Sequence, residues 1–218
     1  MKALKIIGGI IFVLIAIIAV IAYSIISGQP AEGGLEDSIV INAPASSVYE
    51  EMVNIEKLDA WSPWYNLDPD AYTYEGPEAG VGATSKWDSE NPELQKGSLT
   101  ITETIPNKSL KTKMIFEGMT GDFSSSIKLE ETNGQTTVTW GYTFQNLDNV
   151  GRLFVGMMDM ETDMRPMFVQ GLNDLKTIVE AKPLPEPEIA EVASDSTVIS
   201  EWRLKLSGYR KHDLSDGF

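Results

Sequence analysis

Residues 122–145 read DFSSSIKLEETNGQTTVTWGYTFQ, and their alternation decides the fold. Val138, Trp140, Tyr142 and Phe144 fall on one face of an extended chain, and Thr137, Thr139, Gly141 and Thr143 on the other, as in a strand buried on one side. Asn133-Gly134 between the two halves is a tight hairpin signal, because both residues tolerate positive φ. Upstream, Ala71–Glu75, Val81–Asp88, Gly97–Ile105 and Ser109–Glu117 alternate in the same way. They are separated by Gly76-Pro77, Asn91-Pro92, Pro106-Asn107 and Gly118 to Gly121. Ser38-Ile39-Val40-Ile41 adds a first strand, so the sequence predicts an antiparallel sheet of about seven strands.

Helical signals interrupt and then close this series. Asn42 or Ala43 caps a helix with Pro44 in its first turn, Val48, Met52, Val53 and Ile55 share a face, and a second short helix ends before Pro63. Beyond the last strand, Val150, Leu153, Phe154, Met157, Met158, Met164, Met167, Phe168, Leu172, Leu175, Ile178 and Val179 recur at helical spacing. Pro166 is unsuited to a helix interior, which predicts a short helix to about Glu161, a restart capped by Thr162 or Asp163, and a longer helix to about Ala181. This bent helix is expected to cover one face of the sheet.

At the other end, residues 6–26 read IIGGIIFVLIAIIAVIAYSII, preceded by Lys2 and Lys5 and followed by Glu32, Glu36 and Asp37. At about 1.5 Å per residue such a helix spans roughly 30 Å, the hydrocarbon thickness of a bilayer. A cleaved signal has a shorter apolar region and a small-x-small site, which Ser27-Gly28-Gln29-Pro30-Ala31 does not offer clearly. A retained single-pass anchor is the expectation. Its lysines place the N-terminus in the cytoplasm and the rest of the chain outside, periplasmic or external. The expected division is an anchor and flank over 1–31, one α+β domain over 32–182, and a tail over 183–218 that opens on the proline-rich stretch Lys182 to Pro187.

The chain carries 17 Lys+Arg and 32 Asp+Glu, a net charge of −15, and residues 32–182 hold 11 against 25, or −14. This excludes a nucleic-acid partner and disfavours anionic headgroups. There is no cysteine and one histidine, His212 in the tail, so thiol nucleophiles, Ser-His-Asp triads and the common zinc sites are unavailable. No Gly-rich phosphate cradle opens a helix. No cofactor and no metal are therefore expected.

Several phrases in order resemble a known family: Ser38-Ile39-Val40-Ile41-Asn42-Ala43-Pro44, Trp61-Ser62-Pro63-Trp64, Gly76 to Ala83, Gly97 to Glu103, and Gly151-Arg152-Leu153-Phe154. Over about residues 36–181 the chain resembles the SRPBCC or START-like superfamily, and within it bacterial proteins labelled polyketide cyclase/dehydrase. The resemblance implies a helix-grip fold, in which a curved antiparallel sheet closes around the C-terminal helix over an elongated apolar cavity. It also implies a lipid or other hydrophobic small molecule as ligand.

Candidate ligand-binding residues are the aromatics Trp61, Trp64, Tyr72, Tyr74, Trp87, Phe116, Phe123, Trp140 and Tyr142, with Met114, Met157 and Met158 as adaptable apolar surface. The alternative for this set is ordinary core packing. Glu103 shares its strand face with Leu99, Ile101 and Ile105, so an inward orientation makes it a general acid or base; otherwise it reaches water or pairs with a lysine. Arg152 and Arg165 either cap a pocket mouth or pair on the surface. Three functions follow: a membrane-anchored binder of a hydrophobic molecule, a cyclase, aromatase or dehydrase using a cavity carboxylate, or a membrane-tethered interaction module whose tail docks a membrane protein.

Overall fold

In the computed structural model, which describes residues 2–28, 31–157 and 159–183, strands β6 (Asp122–Thr132) and β7 (Gln135–Gln145) pair along their whole length. Asn133 and Gly134 make the turn with φ of 54° and 76°, the doubly positive geometry that a two-residue hairpin demands. β1 (Gly33–Ile41) joins the free edge of β7, and β5 (Ser109–Phe116), β4 (Lys96–Ile105), β3 (Thr84–Asp88) and β2 (Tyr72–Glu75) continue from β6. The result is one antiparallel sheet of seven strands in the order β1-β7-β6-β5-β4-β3-β2. Val81 does not start a strand as expected, because Gly80 and Gly82 both hold positive φ and leave Val81 in an exposed turn.

Helices α2 (Ala45–Val53) and α3 (Ile55–Ala60) fill the connection after β1. Pro44 is the cap rather than a first-turn residue, and the Ala45 N–H is satisfied from across the fold by Glu131 Oε2 at 2.8 Å. Asn54 caps α3 through the Lys57 N–H. Glu51, nearly buried on α2, meets both Lys57 and Lys182 and so ties the end of the last helix to this pair.

The C-terminal segment breaks earlier than its spacing predicts. Helix α4 (Asn149–Met157) stops, and Asp159 caps a π-helical turn over Met160–Met164 through the Glu161 and Thr162 N–H groups. Helix α5 (Arg165–Glu180) then begins with Pro166 in its first turn, where a missing N–H costs nothing. Arg165 binds Glu161 and reaches Asp37 at 3.0 Å and the Glu36 carbonyl, so the π turn is pinned to β1. Helix α5 covers the sheet as expected; α4 adds Val155 against the Phe123 and Phe144 cluster, while its Val150, Phe154 and Met157 are exposed. The proline-rich stretch beyond Pro183, the tail and His212 lie outside the described residues.

The core lies between α5 and the sheet. Phe168, Leu172, Leu175 and Val179 recur at i, i+4, i+7 and i+11 and are all buried against Ile41, Val138, Trp140 and the α2–α3 residues Val48, Met52 and Trp61. Gly171 permits the close approach: a Cβ there would stand 2.8 Å from Trp140 Cζ3 and 3.0 Å from Pro63 Cδ. Gly171→Ala is therefore expected to destabilise by about 1–3 kcal/mol although alanine favours helix. A denaturant melt of the full chain in detergent checks this; an unchanged midpoint contradicts the tight packing.

Ahead of the sheet, α1 (Lys2–Gly28) is a continuous helix, and its Ile6–Gly28 stretch is long and apolar enough to cross a membrane.

Candidate functional site

A cavity of about 190 Å³ lies between the sheet and the α4–α5 segment. Two aromatic groups form its walls. Trp140 on β7 meets Trp61 edge to face at 4.9 Å and lies over Phe168 of α5 at 4.3 Å, with Trp64 closing on Phe168 at 5.7 Å. On the other side, Tyr72, Trp87, Phe116 and Phe123 follow one another at 5.8, 6.1 and 5.1 Å across β2, β3, β5 and β6. Their order is set by strand register, since Tyr72 pairs Trp87, Trp87 pairs Gly97 and Gly97 pairs Phe116. The indole N–H groups are kept from the apolar interior: Trp61 donates to the Glu51 carbonyl, Trp87 to the Leu94 carbonyl and Trp140 to Ser125 Oγ.

The lining is mostly apolar, with one buried carboxylate in it. Asp59 of α3 lines the cavity at 6 % exposure, among Leu58, Trp61 and Thr112. Burial pushes its carboxyl from 3.8 up to about 6, against the opposing pull of the Ser85 and Tyr74 hydroxyls. Asp59 Oδ2 and Thr112 Oγ1, which line the cavity, and Ser85 Oγ, which does not, are buried with no well-formed hydrogen bond among the described residues, the Ser85 and Tyr74 hydroxyls being the polar neighbours of the Asp59 carboxyl. Burial, first, and the Asp59 charge hold the phenols of Tyr72 and Tyr74 well above the ordinary range, and burial does the same to Tyr142. These hydroxyls stay protonated and available as donors. Asp59 and Thr112, polar groups in an otherwise apolar stretch of the lining, suit a ligand that is greasy along its length and polar at one end.

Of the residues singled out in the sequence, Trp61, Trp64, Tyr72, Trp87, Met114, Phe116, Phe123, Trp140 and Tyr142 line the cavity. Tyr74 is half-buried beside Asp59 and outside the lining. Met157 is on the outer face of α4 at 75 % exposure, and Met158 lies outside the described residues. Glu103 is not at the cavity. The β4–β5 register shifts between Ile101 and Glu103, and this irregularity turns Glu103 out to solvent, where it pairs with Lys111 at 2.5 Å. Arg165 pairs on the surface, and Arg152 is half-buried on α4, apart from the lining. Asp59 was the residue sequence reasoning missed. Its signal was spacing: it follows Ile55 by four positions and Leu58 by one, inside the buried face of α3.

No cluster of three His, Cys, Asp or Glu side chains suited to a metal occurs among the described residues.

A model for the family described as polyketide cyclase / dehydrase and lipid transport matches residues 33–180, from the first residue of β1 to the last of α5. The chain belongs to that family. Among solved structures, this family member is similar to norcoclaurine synthase from Thalictrum flavum, with a TM-score of 0.52 and 11 % identity over 72 % of this chain and 91 % of the other. It is also similar to the di-domain ARO/CYC BexL of the BE-7585A biosynthetic pathway, with a TM-score of 0.52 and 16 % identity over 74 % of this chain and 54 % of that one. At such identities the likeness is one of fold: the helix-grip. No curated protein matches the chain.

Proposed function

We propose that this chain is a membrane-anchored domain that holds an apolar small molecule or lipid by its polar end, without transforming it. The observation that carries the reading is Asp59, buried in the lining of an apolar cavity with Oδ2 in no well-formed hydrogen bond. A ligand O–H or N–H supplies the missing bond, which is worth most where water is excluded. The volume of about 190 Å³ is below the roughly 300–1,000 Å³ of common small-molecule sites. It favours a single chain or small ring system over a two-chain lipid, with Met114, Met160 and Met164 adjusting to its shape. The family's description includes lipid transport, which agrees with this. In this reading α1 is retained as a single span, residues 1–31 anchor, 32–182 bind, and the domain lies outside the cytoplasm. The tail from 183 is left to dock a membrane protein.

The test is thermal melting of the full chain in detergent with a long-chain alcohol and an alkane of equal length. The alcohol is expected to stabilise, by about 2.7 kcal/mol at a hundred times its Kd, and to stabilise more than the alkane; Asp59→Ala removes that difference and leaves the alkane effect. Indifference of the melt to both, and to fatty acids, lipids and quinones, contradicts the reading.

A second reading rests on the same carboxyl. A group titrating at about 6 beside two protonated phenols suits general acid–base chemistry of the cyclase or dehydrase kind, with Asp59 in the part expected of Glu103. Under it, Asp59→Asn loses turnover and keeps binding, whereas Glu103→Gln changes neither.

A further inference from the structure

We infer that the cavity opens onto the bilayer that anchors the chain, and that the outer stripe of α4 rests in the headgroup layer, so that the ligand is exchanged directly with the leaflet on the side of the domain. The inference rests on the proposed anchoring by α1. Three independent features point the same way.

The first is covalent. Three peptide links join Gly28, the end of α1, to Ala31, which is a reach of about 10 Å. The Ala31 carbonyl accepts from the Leu147 N–H at 3.3 Å, two residues before α4 begins. The start of β1, the end of β7 and the start of α4 therefore all lie close to the point where the chain leaves the membrane. The helices also touch: α4 packs on α1, and Ala22, Ile25 and Ile26, at i, i+3 and i+4, are the half-buried positions among the described side chains of α1.

The second is the direction of the mouth. The cavity-lining residues that are exposed are Glu93, Gln95 and Lys96, between β3 and the start of β4, and Phe154 of α4. Strand register carries this edge across the sheet, since Gly97 pairs Phe116, Met114 two residues away on β5 pairs Phe123, Phe123 pairs Phe144 and Phe144 pairs Gly33. The open end of the cavity is thus the end where β1 begins, and Asp59 lies farther in, beside Ser85, two residues along β3 from Trp87.

The third is the surface of α4. Val150, Phe154 and Met157, at i, i+4 and i+7, are 54, 38 and 75 % exposed, a continuous apolar stripe on a helix held beside the membrane span. Tethering makes insertion of so short a stripe an intramolecular event, so it needs little affinity of its own. Phe154 belongs both to the stripe and to the cavity lining, which makes it the step between leaflet and cavity. Acidic groups near this edge, among them Glu93, Glu117, Asp148 and Asp159, match a neutral or zwitterionic leaflet and oppose an anionic one.

The chain has no cysteine, so single cysteines can report position. Fluorophore-labelled Ile17→Cys, Met157→Cys and Lys108→Cys variants of the full chain are reconstituted in phosphatidylcholine vesicles with nitroxide-bearing lipid. Lys108 lies on the β4–β5 turn at the opposite end of the sheet. Strong quenching at Ile17 and Met157 with at least five-fold less at Lys108 is expected, and adding Val150→Glu is expected to reduce quenching at Met157 severalfold. Quenching at Ile17 with Met157 no different from Lys108 overturns the inference and leaves the anchor standing. No quenching at Ile17 or Met157 overturns both.

Discussion

Trp140→Ala is expected to cost the fold about 3–5 kcal/mol, the range for removing a buried tryptophan without collapse of the site. The ring is 8 % exposed, meets Trp61, Trp64 and Phe168, and donates its N–H to Ser125. It is the contact through which β7 grips both α5 and the segment after α3. Neighbours cannot close the gap, because Gly171 already brings α5 against the ring and Pro63 stands beside it. In a domain of this size the loss lowers the melting temperature by roughly 10 °C. Trp140→Phe is expected to recover much of it and to enlarge the cavity, which shows as tighter binding of bulkier apolar probes. A fall of only a degree or two for Trp140→Ala contradicts the packing described.

Asp59→Asn is expected to act in the opposite direction at neutral pH. The carboxyl titrates at about 6 when folded and near 3.8 when unfolded, so the folded chain holds the proton more tightly. Below about pH 4 both states are protonated and burial of the acid costs little. As pH rises from 4 to 6 the unfolded chain ionises first, and stability falls. Above about 6 the full difference remains, about 3 kcal/mol at 1.36 kcal/mol per unit. Asparagine abolishes that slope while leaving a polar group to satisfy, so the net gain at pH 7 is about 1–2 kcal/mol and vanishes at pH 4. Denaturant midpoints of both proteins at pH 4, 5, 6 and 7 check the crossing. Parallel curves contradict a buried, elevated Asp59. Such a cost at neutral pH accords with the ligand contact proposed for Asp59.

The sheet was legible because its signals are local. Alternation assigns faces, and Asn133-Gly134 fixes one hairpin from which the others are registered. What failed depended on single backbone events. The irregularity after Ile101 reverses the side that alternation assigns to Glu103, and nothing in GSLTITETI announces it. The break before α5 was expected from Pro166, but Asp159 makes it several residues earlier, since a carboxylate that collects two N–H groups outcompetes the apolar spacing that continues past it. That shift moved Met157 from the expected interior to the outer face. Nine cavity residues were legible as aromatics and a methionine on inward-facing strand positions or in the Trp-Ser-Pro-Trp segment. Asp59 was not singled out, although its place on the apolar face of α3 was available in the sequence.

The most direct test of the central claim is native mass spectrometry of the full chain, released from its own host membrane in mild detergent. The account predicts an added mass from an apolar molecule bearing a hydroxyl, amide or comparable polar end, lost from Asp59→Ala. A protein that arrives without added mass, and whose melting ignores added amphiphiles, contradicts it.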